Sequence, residues 1–353
     1  MTTNSSFTAL PDDVLQRVLL GVALDDQDAT AAACRAFRDV IRGPRFHRLR
    51  REYGFAERRI ILVGSGEMYG PHGAYLGPIE IHVAGKHGAV ASMPGLSGIN
   101  PVASTTDGGA RLFVATARAP EPNLVLVVDG STRRWSRFAT LPVNQHLQCL
   151  AWHGGLLYVA GGLGGPSAGP GGYSNTLRAF NETTGLWEEL PPMPHACAMA
   201  ATGVIGNELF IAGGRGVHHE FESTLQIYNF TTRTWRIGTP LLRAYGAFGV
   251  AFGDGRLYLV PSSPSQSILV YDVQLNAWTE QPPPPIGRFG AGAMHAFAHE
   301  GQIVAVDTHG YAVYRGTGTD RSADGLWPTS WRRFDLDMVT GTIKGVAGSV
   351  ILG

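Results

Sequence analysis

One unit recurs along most of this chain: an aliphatic run that ends in two glycines, a second aliphatic run with an aromatic residue, and then a tryptophan. Its clearest copies carry Gly161-Gly162 and Gly213-Gly214. The tryptophans at the repeat position are Trp135, Trp187, Trp235, Trp278 and Trp331. A period of roughly forty to fifty residues is typical of a repeated supersecondary unit such as a propeller blade. The repeat therefore predicts a body assembled from copies of one small sheet.

Each unit contains alternating apolar residues bounded by Gly, Asn, Asp or Pro, a pattern that predicts four short strands. In the most regular unit the predicted strands cover residues 245–252, 256–260, 268–271 and 277–280. An aromatic residue in the third strand and the tryptophan in the fourth can pack between neighbouring sheets. The double glycine permits close backbone approach at a strand end, and an Asn or Asp before the tryptophan favours a tight turn.

The first unit lacks a first strand. Residues 59–64, 79–83 and 89–91 supply only a second, a third and a weak fourth strand. Residues 342–352 alternate small and apolar side chains as residues 243–253 do. Adding this last segment to the first sheet would close a ring and remove two exposed sheet edges. We therefore expect a mainly β chain whose residues 60–353 form a six-bladed propeller, with the first blade completed by about 342–352.

Residues 7–53 show helical periodicity instead. Pro11 suits a first helical turn, and Asp12 and Asp13 suit the positive end of a helix. We expect three short helices, a break at Gly43-Pro44, and a linker over residues 54–59. Helices this small bury little surface, so an exposed apolar face predicts a docking surface for a partner. The alternative is a helical cap that packs on the sheets.

Both parts of the chain resemble known families. The segments Leu10-Pro11-Asp12-Asp13, Ala33-Cys34-Arg35-Ala36-Phe37 and Pro44-Arg45-Phe46 resemble the F-box. Phe37 stands where Trp is common, which keeps an aromatic anchor and loses the indole donor. The repeats resemble the kelch repeat over nearly everything after Ile60, with the double glycine degenerate in several units. The resemblance therefore implies a small α-helical F-box domain followed by a kelch β-propeller.

F-box/kelch-repeat proteins are substrate-recognition subunits of SCF-type cullin-RING ubiquitin ligases. The resemblance implies that the helices bind the SCF adaptor subunit and, through it, the cullin, while the propeller binds a protein substrate. It implies no catalysis by the chain and no cofactor. The residues it implies for adaptor contact are Leu10, Pro11, Val14, Leu15, Phe37, Val40, Ile41 and Pro44. Two alternatives are a kelch scaffold without a ligase role and a propeller metalloenzyme.

In an antiparallel four-stranded sheet, the loops between the second and third strands lie at the same end as the loops that lead to the next sheet. We expect the protein substrate to bind there. The predicted residues are Tyr69, Arg118, His146, His195, Arg215, His218, Arg243, Tyr245, Arg288 and Phe289. Arg243 and Arg288 occupy equivalent places, so basic groups could take an acidic or hydrogen-bonding peptide. The alternative is that these arginines bind carbonyls of neighbouring sheets as a structural device.

No catalytic or metal site is predicted. Residues 165–169 match the letters of a nucleophile elbow around Ser167, but the helix that such an elbow needs does not follow. His218 and His219 are adjacent, and neighbours on an extended segment point opposite ways and share an ion poorly. Equal numbers of basic and acidic residues, 28 of each, argue against binding to nucleic acid or an anionic membrane.

The remaining features concern the compartment. The three cysteines are too scattered for a disulfide framework, which favours a reducing compartment and predicts small core residues. Residues 1–9 lack the pattern of a signal peptide, and no apolar run approaches about twenty residues. We expect an intracellular protein, cytoplasmic or nuclear. The segment from Arg48 to Arg51, with Arg58-Arg59, is expected to be a solvated helix end and linker rather than a targeting cluster.

Overall fold

The computed structural model describes residues 12–22, 26–41, 44–53, 57–70, 73–83, 91–93, 100–117, 124–130, 134–165, 169–252, 255–261, 266–282, 294–299, 302–307, 312–317, 330–335 and 343–352. Within these ranges the chain begins with four α-helices and continues in β-strands. The helices are α1 (Asp12–Leu20), α2 (Gln27–Ala33), α3 (Arg35–Ile41) and α4 (Pro44–Glu52).

The helices enclose a small apolar core of their own. Leu15 and Leu19 on α1 are buried against Ile41 of α3, and Phe46 of α4 is fully buried among them. Val14 and Val18 lie one turn apart on α1 and are 38% and 51% exposed. The helical periodicity of α1 therefore buries one stripe and leaves a second apolar stripe at the surface.

α4 differs from the sequence prediction in two ways. Pro44 begins a helix instead of ending the helical region, because a first turn does not need the N–H that proline lacks. Arg50, which was expected in a solvated stretch, is buried. Its Nη1 donates hydrogen bonds of 2.5 Å each to the carbonyls of Leu20 and Val22. The guanidinium thus satisfies carbonyls at the end of α1 that no further turn would bind.

The described strands form six four-stranded antiparallel sheets. The first sheet contains β1 (Glu57–Gly70), β2 (Gly73–Val83) and β3 (Ala91–Met93), and the second contains β4 (Asn100–Thr106), β5 (Arg111–Ala117), β6 (Leu124–Asp129) and β7 (Arg134–Thr140). The third contains β8 (Cys149–His153), β9 (Leu156–Ala160), β10 (Leu177–Asn181) and β11 (Leu186–Leu190), and the fourth contains β12 (Ala201–Ile205), β13 (Glu208–Ala212), β14 (Leu225–Asn229) and β15 (Thr234–Ile237). The fifth contains β16 (Ala247–Phe252), β17 (Arg256–Pro261), β18 (Ile268–Asp272) and β19 (Ala277–Gln281), and the sixth contains β20 (Met294–His299), β21 (Gln302–Asp307), β22 (Ala312–Thr317) and β23 (Ser330–Asp335).

The last strand, β24 (Ile343–Leu352), is the fourth strand of the first sheet. It pairs antiparallel with β1, from Glu57 opposite Leu352 to Gly66 opposite Ile343. This is the pairing that the sequence predicts. The pairing also lengthens β1, which begins at Glu57 and occupies half of the predicted linker over 54–59, because Arg58 and Arg59 bind opposite Ile351 and Val350.

Contacts between neighbouring sheets run mainly through the first strand of the second to sixth sheets and through β24 of the first. β4 contacts β8, β8 contacts β12, β12 contacts β16, and β16 contacts β20. β24 contacts both β20 and β4 and so connects the sixth sheet to the second. The order of contacts is that of a ring of sheets, which is consistent with a kelch β-propeller.

Three of the repeated tryptophans each connect their sheet to the one before it. The indole Nε1 of Trp187 donates to the carbonyl of Thr140 at 2.9 Å, and Trp235 and Trp278 donate to Pro191 and Thr239 at 2.8 Å. Each ring also packs on the third-strand aromatic opposite it, with centroids 5.1, 5.1 and 4.9 Å apart. The prediction that these aromatics pack between sheets is confirmed in the three sheets concerned.

The tight turns before the tryptophans are side-chain capped as predicted. Asn229 Oδ1 accepts hydrogen bonds from the backbone N–H groups of Thr231 and Thr232 at 3.0 and 2.9 Å. Asn181 and Asp272 form the same pair of bonds in the sheets on either side. Asn181, Asn229 and Asp272 are therefore turn residues.

Candidate functional site

Two sets of loops meet at one end of the sheets, as the strand order requires. Loops 161–176 and 213–224 join second to third strands, and loops 141–148, 191–200 and 238–246 join one sheet to the next. Isolated bridges connect the two sets, from His146 to Leu163 and from Ala198 to Arg215. We call this end the loop face. Its loops are built on backbone hydrogen bonds between different sheets, which gives it a defined shape.

The double glycines hold the loop face together. Gly213 has φ +62°, and its N–H donates to the carbonyl of Thr224 at 2.8 Å. Gly214 N–H donates to the carbonyl of Tyr245 in the next inter-sheet loop at 3.1 Å. A Cβ at Gly213 would lie 2.5 Å from that same carbonyl oxygen. The close backbone approach that the sequence predicts is confirmed, and it fixes Tyr245 beneath the face.

Tyr245 is a structural residue, which corrects its assignment to the substrate-binding set. The side chain is 1% exposed, and its hydroxyl donates a hydrogen bond to the carbonyl of Ser267. Burial raises the pKa of the phenol, so the hydroxyl stays protonated as a donor. The sequence assigns Tyr245 to this loop but does not show that its side chain is buried, because its partner, the carbonyl of Ser267, lies in another loop.

Arg243 and His195 hold equivalent loop positions with different partners. Arg243 Nη1 lies 3.0 Å from Glu280 Oε1, and both side chains are about two-fifths exposed. The guanidinium thus has an acidic partner on β19, and not the carbonyl partner that the structural alternative for this arginine names. His195 is exposed at the surface, while its backbone N–H and C=O are held by Gln226 at 2.8 and 3.2 Å.

Loop 213–224 carries several exposed polar groups of the loop face. Arg215 is exposed, and its guanidinium carbon lies 5.0 Å from the centroid of the Phe221 ring. His218 and His219 are also exposed, and His219 Nδ1 lies 3.1 Å from the hydroxyl of Tyr173 in the neighbouring loop. Two predicted residues of the face, Arg215 and His218, therefore lie on one loop that is joined to the neighbouring loop through His219.

The sequence prediction missed two apolar residues of this face. Phe221 is 39% exposed and Met199 is 46% exposed. Met199 has φ +56°, and Leu147 has φ +60°. The N–H of Met199 donates to the carbonyl of Leu147 at 3.0 Å. Both positive-φ residues precede a first strand by two positions, a regularity that aligning the repeats could have found.

The other predicted substrate-binding residues are less informative. His146 is half-buried and pairs with Leu163 through the backbone. Tyr69 lies near the end of β1. The predicted residues Arg118, Arg288 and Phe289 lie outside the described residues.

The predicted adaptor-contact set divides by depth. Val14 is exposed, whereas Leu15 and Ile41 belong to the core between the helices and are corrected to structural residues. Phe37 and Val40 are half-buried at the edge of that core. Pro44 begins α4, and Leu10 and Pro11 lie outside the described residues. Val18, which was not in the set, extends the exposed stripe of Val14.

Two of the three cysteines are core residues, as predicted. Cys149 and Cys197 are buried in the apolar cluster between the third and fourth sheets, and burial raises the pKa of both thiols. Cys34 is half-buried. In the described ranges, no three His, Cys, Asp or Glu side chains come together as a metal site. None of the four helices described is long and apolar enough to cross a membrane.

The repeated sheets, tryptophans and double glycines define a mainly β protein with kelch repeats. Residues 150–194 and 196–242 match the sequence profile of the Kelch motif. These ranges cover the third and fourth sheets, where both double glycines are intact.

Three relatives share 25 to 28% identity with the chain. Mouse Kelch-like protein 36 is 27% identical over 46% of this chain and 28% of its own length. An F-box/kelch-repeat protein of Arabidopsis thaliana is 25% identical over 44% of this chain and 49% of its own. Kelch repeat and BTB domain-containing protein 12 of Danio rerio is 28% identical over 41% of this chain and 27% of its own. The chain thus spans less than half the length of these curated relatives.

The solved structure of YjhT has the same fold over much of the chain. It superposes with a TM-score of 0.50 over 70% of this chain and 87% of that one, at 16% identity. At this identity the likeness concerns the fold alone.

Proposed function

We propose that the protein is the substrate-recognition subunit of an SCF-type ubiquitin ligase. The helices α1 to α4 would be an F-box domain that binds the adaptor subunit. The six sheets would be the blades of one closed kelch propeller that binds the protein to be ubiquitinated. The chain performs no chemistry in this role, and it raises the effective concentration of substrate near the ubiquitin-loaded enzyme.

One observation carries this proposal: the helices form a separate core and still expose an apolar stripe. Val14 and Val18 are 38% and 51% exposed although the helices bury Leu15, Leu19 and Leu20 beside them. A unit this small keeps an aliphatic stripe in water at a cost in stability, unless a partner covers it. An adaptor subunit would cover it.

The relatives support the pairing of parts without deciding it. The Arabidopsis thaliana relative is described as an F-box/kelch-repeat protein, whereas the Danio rerio relative pairs kelch repeats with a BTB domain. The kelch half is therefore compatible with more than one kind of partner. In our proposal, the N-terminal helices determine which kind of partner the protein binds.

The test is capture of a purified SCF adaptor subunit by the full chain. We expect stoichiometric capture by the natural protein and loss of capture in the double variant Val14→Asp, Val18→Asp. Leu275→Asp is the matched control, because it places the same charge at an aliphatic residue that is 75% exposed on the fifth sheet. Circular dichroism checks that each variant is folded.

The second candidate is a kelch scaffold without a ligase role. Phe37 favours it, because this half-buried residue keeps the aromatic packing of the helical core without an indole N–H for a partner. The same experiment separates the two. If the natural protein captures no adaptor, or if Leu10→Ala with Pro11→Ala leaves capture unchanged, the ligase proposal is wrong and the scaffold remains.

A further inference from the structure

Among the described arginines of the loop face, Arg215 is the one best placed to meet an anion. Its exposed guanidinium stacks on Phe221, and no described acidic side chain forms an ion pair with it, whereas Arg243 is paired with Glu280 at 3.0 Å. Stacking on an aromatic ring orients a guanidinium and leaves its N–H edge for the two oxygens of a carboxylate. The acidic side chains of the same loop are Glu220 and Glu222, and Glu222 folds back against Gly216.

Two exposed apolar residues lie near this cation along the backbone. Ala198 and Arg215 exchange backbone hydrogen bonds of 2.9 and 2.8 Å, which places the backbone of Met199 one residue from this pairing. Met199 exposes nearly half of its side chain from a left-handed backbone conformation that bulky residues avoid. The Phe221 ring lies over the backbone of Gly246, in the next inter-sheet loop. An observed backbone outlier with an exposed apolar side chain points to use of that side chain.

We propose that Arg215, Phe221 and Met199 form a recognition point for an extended segment of the partner protein that presents a carboxylate beside an aliphatic side chain. The inference rests on the proposed function and names the chemistry of its substrate. A carboxylate fits better than a phosphate, since one unpaired arginine beside Glu220 and Glu222 matches a single negative charge rather than two.

The probe is a phage-displayed library of random dodecapeptides, selected on the immobilised full chain. We expect selected peptides to share an Asp or Glu next to Leu, Ile, Val or Met. A synthetic copy of a selected peptide should bind about tenfold more weakly when its Asp or Glu is replaced by Asn or Gln. The unchanged peptide should show a similar loss of affinity for the Arg215→Ala variant. Arg236→Ala is the matched control. This half-exposed arginine lies on β15 and is paired with Glu208 at 2.9 Å, so the affinity of the variant for the peptide should equal that of the natural protein.

A second pair of variants tests Met199 apart from folding. Met199 and Arg233 both have φ +56°, and Arg233 lies in the turn before Trp235. Replacing either by glycine relieves the same backbone strain, so Met199→Gly should melt at a higher temperature than the natural protein. Arg233→Gly also removes the ion pair of Arg233 with Glu188 at 2.5 Å, which offsets part of its gain. Only Met199→Gly should weaken peptide binding, by about threefold or more, since only it removes apolar contact area.

Three results would overturn the proposal: no acidic consensus among selected peptides, unchanged affinity in Arg215→Ala, or tighter binding of a phosphoserine peptide than of its carboxylate counterpart. Adaptor capture by Arg215→Ala distinguishes this failure from failure of the proposed function. That variant should capture the adaptor as the natural protein does, because the change is on the sheets and the adaptor contact is on the helices.

Discussion

Two features require glycine at position 213: a positive φ and the close approach of the Tyr245 carbonyl. Their contributions to the free energy of unfolding can be measured separately. Gly206 also has a positive φ, +57°, but a Cβ there would meet nothing within 4 Å. Gly206→Ala should therefore cost about 1 kcal/mol, the strain of the backbone alone. Gly213→Ala should cost about 1 to 3 kcal/mol more, because its Cβ collides with a backbone oxygen that cannot turn away. Urea unfolding followed by tryptophan fluorescence gives both values, and equal losses would contradict the collision.

For single residues, the sequence pattern predicted the repeat positions well, but it did not predict which side chains are buried or which partners they contact. The double glycine, the capping Asn residues and the tryptophans follow from local geometry, and each was found where expected. Tyr245 and Arg243 look alike as polar loop residues in the sequence. One is buried by the neighbouring loop and the other is paired with Glu280 from a distant strand, and such non-local partners leave no local pattern.

At the scale of elements, periodicity was sufficient for α1 and insufficient for α4. The apolar residues of α1 repeat at three and four positions, which predicts a buried stripe. α4 offers only Phe46 and Leu49 to the core among basic residues, so its charge indicated a solvated segment. The burial of Arg50 depends on carbonyls some thirty residues earlier in the chain, which the local sequence does not reveal.

Arg50 should hold the helices together independently of the sheets. Arg50→Ala leaves the carbonyls of Leu20 and Val22 without their donor in a buried place, which should cost about 2 to 4 kcal/mol. Because the described residues that pack around Leu15 and Phe46 belong to the helices, apart from Val22 just after α1, the loss should be confined to residues 12–52. Hydrogen exchange should show faster exchange there and unchanged exchange in β8 to β15. The exposed Arg45→Ala should leave both regions unchanged, and loss of protection in the sheets after Arg50→Ala would contradict a separate helical core.

For the whole molecule, the repeat period made the order of sheets predictable and left the ligand open. Each unit needs four strands. The first unit lacks its first strand and an extra strand follows the last unit, so the repeat predicted the pairing of β1 with β24. What the loop face binds depends on exposed side chains such as that of Met199, whose backbone conformation recurs at Leu147 but whose side chain differs between copies of the repeat.

Removal of β24 tests the ring as a unit. A chain ending at residue 341 would leave the β1 positions from Glu57 to Gly66 unpaired and would break the contacts that β24 makes with β20 and β4. We expect its melting temperature to fall by ~10 °C or more and its tendency to aggregate to rise, since an open sheet edge invites pairing with other chains. A synthetic peptide of residues 342–353 should restore the transition, whereas a scrambled peptide should not. A truncated chain that melts like the natural one without peptide would show that the sheets do not depend on closure.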